Sequence, residues 1–167
     1  MTDTKFQEGP RFSDLGISPN LLSALERQGF FVPTPIQHQV IPSALEGKDL
    51  VGIAQTGTGK TFAFGIPMLQ RLGNNKGQGL VLVPTRELAI QVNDELEKIG
   101  KSAGFRTAVL IGGAPMGRQI ESLKRNPNVV VATPGRLADH LKHKTYTLQK
   151  INVVVLDEAD RMLDIGF

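Results

Sequence analysis

The sequence predicts an α/β fold in which helices cover both faces of a parallel β-sheet. The first observation is a set of five short, almost continuously apolar segments, at 49–54, 80–83, 107–111, 129–132 and 153–156. Continuous rather than alternating apolarity is typical of strands that are buried on both faces. The second observation is that helical patterns separate these segments, at 61–72, 86–99, 115–123 and 134–141. Strands that alternate with helices form βαβ units, which bind ligands at the carboxyl ends of their strands.

Two further helices are expected ahead of the first strand. Ser18-Pro19 reads as an N-cap followed by proline at the first helical position, and Gly29 is placed to end that helix. Thr34-Pro35 begins a second helix in the same way. Pro42 is expected to kink this helix and restart it, because proline removes a backbone donor and crowds the preceding turn.

The composition fits one globular domain. The chain has 167 residues, of which 40% are apolar and 21% are charged. It has no cysteine, which excludes disulfides and thiolate metal sites and fits a cytoplasmic protein. No apolar run approaches the roughly 18 residues of a transmembrane helix, so we expect no membrane contact. A net charge of +3 does not by itself indicate a nucleic-acid partner.

A phosphate-binding loop is predicted at 54–61, which reads Ala-Gln-Thr-Gly-Thr-Gly-Lys-Thr. Gly57 and Gly59 allow the backbone to turn its N–H groups towards phosphate oxygens. Lys60 can reach the outer phosphates, and the hydroxyl of Thr61 can hold Mg²⁺. The alternative is a glycine-rich turn with an unrelated lysine. The strand before the loop and the helix after it disfavour that alternative.

A second set of polar residues follows the last predicted strand. Asp157 is placed to bind Mg²⁺, and Glu158 to orient or deprotonate an attacking water. The alternative is that these acids only stabilise the N-terminus of a helix. The phosphate loop elsewhere in the chain favours the catalytic interpretation.

Six segments, in order, resemble the motifs of the DEAD-box RNA helicase family. Residues 157–160 read Asp-Glu-Ala-Asp, the four letters that name the family, and resemble its motif II. The other five are the Q motif at 29–37, motif I at 54–61, motif Ia at 84–89, the paired glycines at 112–113 and motif Ib at 133–136. The family accepts alanine at the first position of motif I. It also has an isolated aromatic residue 17 positions before the Q motif, where this chain has Phe12.

The resemblance implies a RecA-like ATPase domain with ATP and Mg²⁺ as cofactors. The residues it assigns to the nucleotide are Phe12, Gln37, Gln55, Thr56, Gly57, Thr58, Gly59, Lys60 and Thr61. Gln37 would read the adenine edge, since one amide both donates and accepts, and Phe12 would pack on the adenine face. Helix capping and core packing are the alternatives for these two. Catalysis would depend on Lys60, Asp157 and Glu158, with Thr61 and Asp157 holding the metal.

RNA is the partner that the resemblance implies. The residues it assigns to the RNA sugar-phosphate backbone are Thr85, Arg86, Gly113, Thr133, Gly135 and Arg136. Thr85 and Thr133 also look like helix N-caps, and a helix N-terminus is itself a phosphate site. Because backbone contacts carry little sequence information, binding should be largely sequence-independent and salt-sensitive. Asp160 would couple motif II to motif III and to a second helicase domain.

The resemblance also implies a domain organisation. Residues 1–46 would form the Q-motif region with the N-terminal helices, and 47–167 the P-loop part of the first helicase domain, together one structural domain. Motif III, whose strand lies between the motif I and motif II strands, and the second helicase domain are absent from the chain. A longer chain or another copy would supply that strand, or the sheet would be rearranged.

Three functions compete at this point. The leading one is the core domain of an ATP-dependent RNA helicase. The second is a module that binds adenine nucleotide and RNA without turnover, which we expect to describe the 167 residues alone. The third is a DNA-directed or transport P-loop ATPase, against which the Q motif and the Thr-Pro-Gly-Arg segment at 133–136 argue.

Overall fold

Four parallel strands form one sheet. A computed structural model describes residues 9–48, 59–74 and 77–164. The strands are β1 (Gln78–Leu82), β2 (Thr107–Leu110), β3 (Val129–Ala132) and β4 (Ile151–Leu156), in the order β2-β3-β1-β4. The parallel sheet is therefore confirmed, although β1 and β4 begin two residues before their predicted starts. The strand predicted at 49–54 lies outside the described residues, and so does the question of which strand is its neighbour.

The described part of the chain forms seven α-helices. They are α1 (Pro19–Arg27), α2 (Pro35–Leu45), α3 (Lys60–Asn74), α4 (Arg86–Gly100), α5 (Met116–Lys124), α6 (Pro134–Lys142) and α7 (Ala159–Asp164). Short 3₁₀ turns lie at Phe12–Asp14 and Lys101–Ala103. Within the described ranges, no helix is long and apolar enough to cross a membrane.

Ser18 and Thr34 occupy the predicted N-cap positions, although Ser18 makes no side-chain cap hydrogen bond, and the predicted restart at Pro42 is wrong. Thr34 caps α2 by accepting a hydrogen bond from the backbone of Gln37, and Gly29, with φ of 81°, follows the end of α1. The helix α2 continues through Pro42 to Leu45. A proline removes one backbone donor only, so the turns around it can persist when the helix is packed against a neighbour, as α2 is against α3.

Helices cover both faces of the sheet, as expected. One core lies on one face of the sheet, where the N-terminal segment and the first four helices pack against the strands. Its buried side chains include Phe12, Leu25, Ile66 and Leu96. The other face carries a smaller core. Its members come from the strands and from the chain after β3: Leu80, Leu82, Ala108, Leu110, Val130, Ala132, Leu137, Tyr146 and Met162.

The strand β4 differs from the other three. Its residues alternate between half-buried and exposed, whereas β1 and β3 are buried throughout. Val154 and Leu156 are 57% and 52% exposed. Among the described strands β4 pairs only with β1, so it lies at one edge of this sheet.

Candidate functional site

The polar residues singled out from the sequence gather where the strands end. The register pairs Leu82 at the end of β1 with Ala132 of β3 on one side and with Leu156 of β4 on the other. The loops after these three strands therefore leave the sheet at one level. Two clefts open there, and no described residue lines both of them.

The first, which we call the lysine cleft, has a volume of about 340 Å³. Seven of its described lining residues were predicted to bind nucleotide or to act in catalysis: Phe12, Gln37, Gly59, Lys60, Thr61, Asp157 and Glu158. The remaining predicted loop residues, Gln55, Thr56, Gly57 and Thr58, lie outside the described residues.

An ion pair between Lys60 and Asp157 lies in the lysine cleft. The Nζ of Lys60 is 2.7 Å from Oδ1 of Asp157, whose side chain is only 4% exposed. The backbone N–H of Asp157 donates to the carbonyl of Leu82, so the sheet fixes the position of this carboxylate. A buried carboxylate is strongly stabilised by a neighbouring positive charge. The carboxylate of Asp157 therefore favours a cation beside it, and the ammonium group of Lys60 occupies that place.

The oxygen atoms near this pair suit magnesium. Thr61 follows Lys60 in the first turn of α3 and is nearly buried, so a hydroxyl lies beside the lysine that contacts the carboxylate. A hydroxyl and a carboxylate are ligands that Mg²⁺ prefers, with phosphate and water oxygens completing its shell. In the described ranges, no three His, Cys, Asp or Glu side chains are grouped to hold a metal. One hydroxyl and one carboxylate fill only part of the shell of Mg²⁺, so this donor set fits an ion that is shared with a phosphate ligand.

Glu158 lines the same cleft in a strained conformation. Its φ of 54° lies in the left-handed region, which a residue with a side chain adopts at a cost. Its Oε2 is 3.3 Å from Nη1 of Arg161, one turn further along. Asp160 is exposed and is not among the described lining residues of either cleft. The backbone therefore directs Glu158 and Asp160 to different surroundings.

Gln37 links the start of α2 to the phosphate loop. Its Oε1 accepts from the backbone N–H of Thr34 at 2.9 Å, and its Nε2 donates to the carbonyl of Gly59 at 3.1 Å. The side chain is nearly buried. Phe12 is also buried, and its backbone N–H donates to the carbonyl of Phe31. Capping and core packing, the alternatives raised for these two residues, are therefore both present.

Replacing Gln37 with alanine is expected to lower the free energy of unfolding by about 1–2 kcal/mol, even without a ligand. The substitution leaves the N–H of Thr34 and the carbonyl of Gly59 without their partner. Urea unfolding followed by circular dichroism measures the loss. Gln39→Ala is the matched control, because Gln39 lies on the same helix and is exposed. Equal effects of the two substitutions would contradict the structural role of Gln37.

Part of the lysine cleft was not predicted from the sequence. One face of α4 lines it with Leu88, Gln91, Glu95 and Lys98. Their spacing of three or four residues places them on one side of a helix. That periodicity was visible in the sequence. Only the packing of α4 beside α3 turns this face towards Lys60.

The second cleft, the arginine groove, has a volume of about 610 Å³. Its described lining residues are Pro84, Thr85, Arg86, Glu87, Gly112, Thr133, Gly135, Arg136 and Asp139. They include five of the six residues predicted to contact RNA. The sixth, Gly113, adjoins the groove: a Cβ atom at this position would lie 2.2 Å from Nη1 of Arg86. With φ of 78°, Gly113 also has a backbone conformation that favours glycine.

Both predicted N-caps border the arginine groove. The hydroxyl of Thr85 accepts from the backbone N–H of Leu88 at 3.2 Å, which confirms it as a cap of α4. Thr133 occupies the N-cap position of α6, but its hydroxyl makes no cap hydrogen bond. Two helix N-termini therefore open on the same groove, and each carries a partial positive charge.

The chain is similar to proteins of one known family. The sequence profile of the DEAD/DEAH box helicase family matches residues 34–167. The chain is 53% identical over 158 residues to the DEAD-box ATP-dependent RNA helicase CshA of Bacillus cereus, covering 93% of this chain and 30% of that protein. Against CshA of Bacillus subtilis the identity is 51%, with 93% of this chain and 32% of the relative covered. The chain thus spans about a third of the length of these relatives.

Two solved structures share the fold. A DEAD box protein from the hyperthermophile Methanococcus jannaschii matches with a TM-score of 0.85 and 43% identity, covering 93% of this chain and 43% of that one. A hypothetical ATP-dependent RNA helicase from Sulfolobus tokodaii matches with a TM-score of 0.81 and 40% identity, covering 89% and 43%.

Proposed function

The chain belongs to the DEAD/DEAH box helicase family, and we propose that it is the ATP-binding core domain of a DEAD-box RNA helicase. In this role it couples ATP binding and hydrolysis to RNA binding and local duplex unwinding. The observation that carries the proposal is the pair of clefts at the carboxyl ends of the strands. One is built around the Lys60–Asp157 ion pair and the other around Arg86 and Arg136.

ATP binds in the lysine cleft. Lys60 exchanges its contact with Asp157 for the outer phosphates, and Gly57 and Gly59 present backbone N–H groups to the same oxygens. Thr61 and Asp157 would hold Mg²⁺, which neutralises charge on the β- and γ-phosphates when bound. Glu158 orients or deprotonates the attacking water. Gln55, Thr56 and Thr58 complete the loop around the phosphates.

The adenine is read by Gln37 and Phe12. The two hydrogen bonds that Gln37 makes within the chain use one lone pair of Oε1 and one hydrogen of Nε2. The amide retains one acceptor and one donor position. These match the N6 and N7 positions of adenine. Phe12 lines the same cleft although it is buried, so it offers the adenine the limited part of its ring that borders the cleft.

RNA lies along the arginine groove. Arg86 and Arg136 contact its phosphates, and Gly113 and Gly135 allow the backbone to approach closely. The N-termini at Thr85 and Thr133 supply further donors. These contacts read the sugar-phosphate backbone, so binding is largely sequence-independent and weakens as salt is raised.

Asp160 couples this domain to a second helicase domain in the full-length protein. Its exposure supports that role, because a residue that contacts another domain must be accessible in this one. The same proposal places the protein in the cytoplasm, where an RNA-dependent ATPase meets both of its substrates.

For the 167 residues alone we expect binding of ATP and RNA without RNA-stimulated turnover. An arginine at the γ-phosphate can raise hydrolysis about 10³–10⁵-fold, but no arginine is among the described lining residues of the lysine cleft. Phosphate release would be measured with and without single-stranded RNA, beside calorimetric titrations of ATP and RNA. Binding without stimulation favours the binding-module description of this chain. Strong stimulation by RNA would show that the chain itself is a complete ATPase, and failure to bind ATP would exclude the proposed function.

A further inference from the structure

A buried glutamine connects three elements beside the arginine groove. Gln119 of α5 is only 4% exposed. Its Nε2 donates to the carbonyl of Ile111 at 2.8 Å. Its Oε1 accepts from Nη1 of Arg136 at 3.3 Å and lies 2.7 Å from Nε2 of His140. Three contacts to a nearly buried amide indicate a structural network, because an unsatisfied buried polar group would be costly.

These contacts fix the tautomer of His140. The carbonyl of Ile111 can only accept, so the NH₂ group of Gln119 must face it and Oε1 must face the other two partners. An oxygen that accepts from Arg136 can only accept from the histidine as well. The Nε2 of His140 therefore carries the proton, and Nδ1 faces the hydroxyl of Thr145 at 2.7 Å.

His140 is held neutral in this position. It is 0% exposed. Burial lowers its pKa below the ordinary value, and the positive charge of Arg136 lowers it further. A neutral ring can donate from Nε2 while Nδ1 accepts from the hydroxyl of Thr145 at 2.7 Å. That hydroxyl also lies 3.1 Å from the carbonyl of His140, which accepts from the backbone N–H of Thr145 when the hydroxyl hydrogen goes to Nδ1. The network is then satisfied at both ends.

The network determines how Arg136 is presented to the groove. Its Nη1 donates to the carbonyl of Ala114 at 2.9 Å as well as to Gln119. Its Nε lies 3.5 Å from Oδ2 of Asp139. Among the described residues Nη2 makes no hydrogen bond, so it is the nitrogen left for a phosphate oxygen. The bond to Ala114 also ties the loop that contains Gly113 to α6.

We propose that Gln119 and His140 are positioning residues for nucleic-acid binding, which hold Arg136 and the loop at 112–114 in the arrangement that receives a phosphate. The proposal rests on the proposed function of the arginine groove. Neither residue is accessible enough to contact RNA directly, since both are buried behind Arg136. Their effect passes through the guanidinium group and the loop. Truncating Gln119 removes one of the three contacts of Arg136, and truncating His140 removes the donor that orients the Gln119 amide.

The test is the affinity of the chain for a short single-stranded uridine RNA, measured by fluorescence anisotropy over a range of salt concentrations. Arg136→Ala is expected to weaken binding about tenfold. It should also reduce the slope of log affinity against log salt by about 0.7, the value for one phosphate contact on a single strand. Gln119→Ala and His140→Leu are expected to weaken binding about threefold or more and to reduce the slope in the same direction. His140→Gln keeps an N–H donor near the position of Nε2 and should restore most of the affinity.

Two controls separate positioning from general destabilisation. Gln149→Ala removes an amide from an exposed glutamine that lines neither cleft, and it should leave RNA binding unchanged. The affinity of every variant for ATP should also be unchanged, because the lysine cleft shares no described residue with the arginine groove. A role limited to stability would lower the melting temperature without changing the salt slope, and that result would overturn the proposal.

The outcomes distinguish this inference from the function on which it rests. If Arg136→Ala keeps wild-type affinity and slope, the groove does not bind RNA, and both proposals fail. If Arg136→Ala weakens binding while folded Gln119→Ala and His140→Leu do not, only the positioning role fails. Should those variants not fold, ¹⁵N shifts of the imidazole in the wild-type chain decide. The Nε2–H tautomer supports the network, whereas an Nδ1–H tautomer or a protonated ring at neutral pH overturns it.

Discussion

Replacing Lys60 with alanine is expected to lower the affinity for ATP about 100-fold or more. Lys60 is the one described lysine of the cleft that contacts Asp157, at 2.7 Å. We expect its ammonium group to exchange the carboxylate for the phosphates when ATP binds. An alanine removes the lysine at the start of α3, so the phosphates lose the positive partner that we assign to them. It also leaves the buried carboxylate of Asp157 uncompensated, which repels the incoming anion.

Calorimetric titration with ATP measures this loss. Lys98→Ala is the matched control, because Lys98 lines the same cleft from α4 but pairs with no described residue. The double variant Lys60→Ala with Asp157→Asn removes the uncompensated charge and should recover stability without recovering ATP binding. If Lys98→Ala weakens binding as much as Lys60→Ala does, the cleft attracts ATP only through its general charge. Unchanged affinity in Lys60→Ala would remove the phosphate-loop role.

Replacing Glu158 with glutamine is expected to lower ATP hydrolysis about 10²–10⁴-fold in a protein that contains both helicase domains. Glutamine preserves the size of the side chain and much of its hydrogen bonding. It removes the charge to which we assign the orientation or deprotonation of water. The ion pair with Arg161 is also lost. Because Arg161 is more than half exposed, that loss should change stability by less than about 1 kcal/mol.

Phosphate release and ATP affinity would be measured together for Glu158→Gln. Affinity should stay within about threefold of the wild type, because the proposed function assigns the phosphates to Lys60 and the phosphate loop rather than to Glu158. Such a variant should also retain RNA for longer when ATP is present. Asp164→Asn is the control, since it removes an exposed acid at the end of α7, the short helix that begins directly after Glu158. Near-normal hydrolysis by Glu158→Gln would assign the water to another group.

Much of the fold followed from the sequence because strand and helix periods are local properties. Four of the predicted strands and the caps at Thr34 and Thr85 depend on residues within one or two turns of each other. The restart predicted at Pro42 was wrong because the outcome depended on packing. A proline weakens an isolated helix, but contact between α2 and α3 preserves the turns on either side.

The sequence predicted those site residues that belong to recognisable motifs. The meeting of Lys60 with Asp157 followed from two separate motifs and the rule that parallel strands deliver ligands to one edge. Gln119 and His140 could not be found in this way. Glutamine and histidine within amphipathic helices ordinarily read as solvent-facing residues. Only the packing of α5 beside α6 buries both and brings them together.

The exposed side of β4 has a consequence for colloidal behaviour. Val154 and Leu156 present branched apolar side chains to water from β4, which is terminal among the described strands, and exposed apolar side chains of this kind favour association between molecules. A net charge of +3 provides little electrostatic repulsion between molecules. We therefore expect the folded chain to associate as its concentration is raised, at temperatures below its unfolding transition.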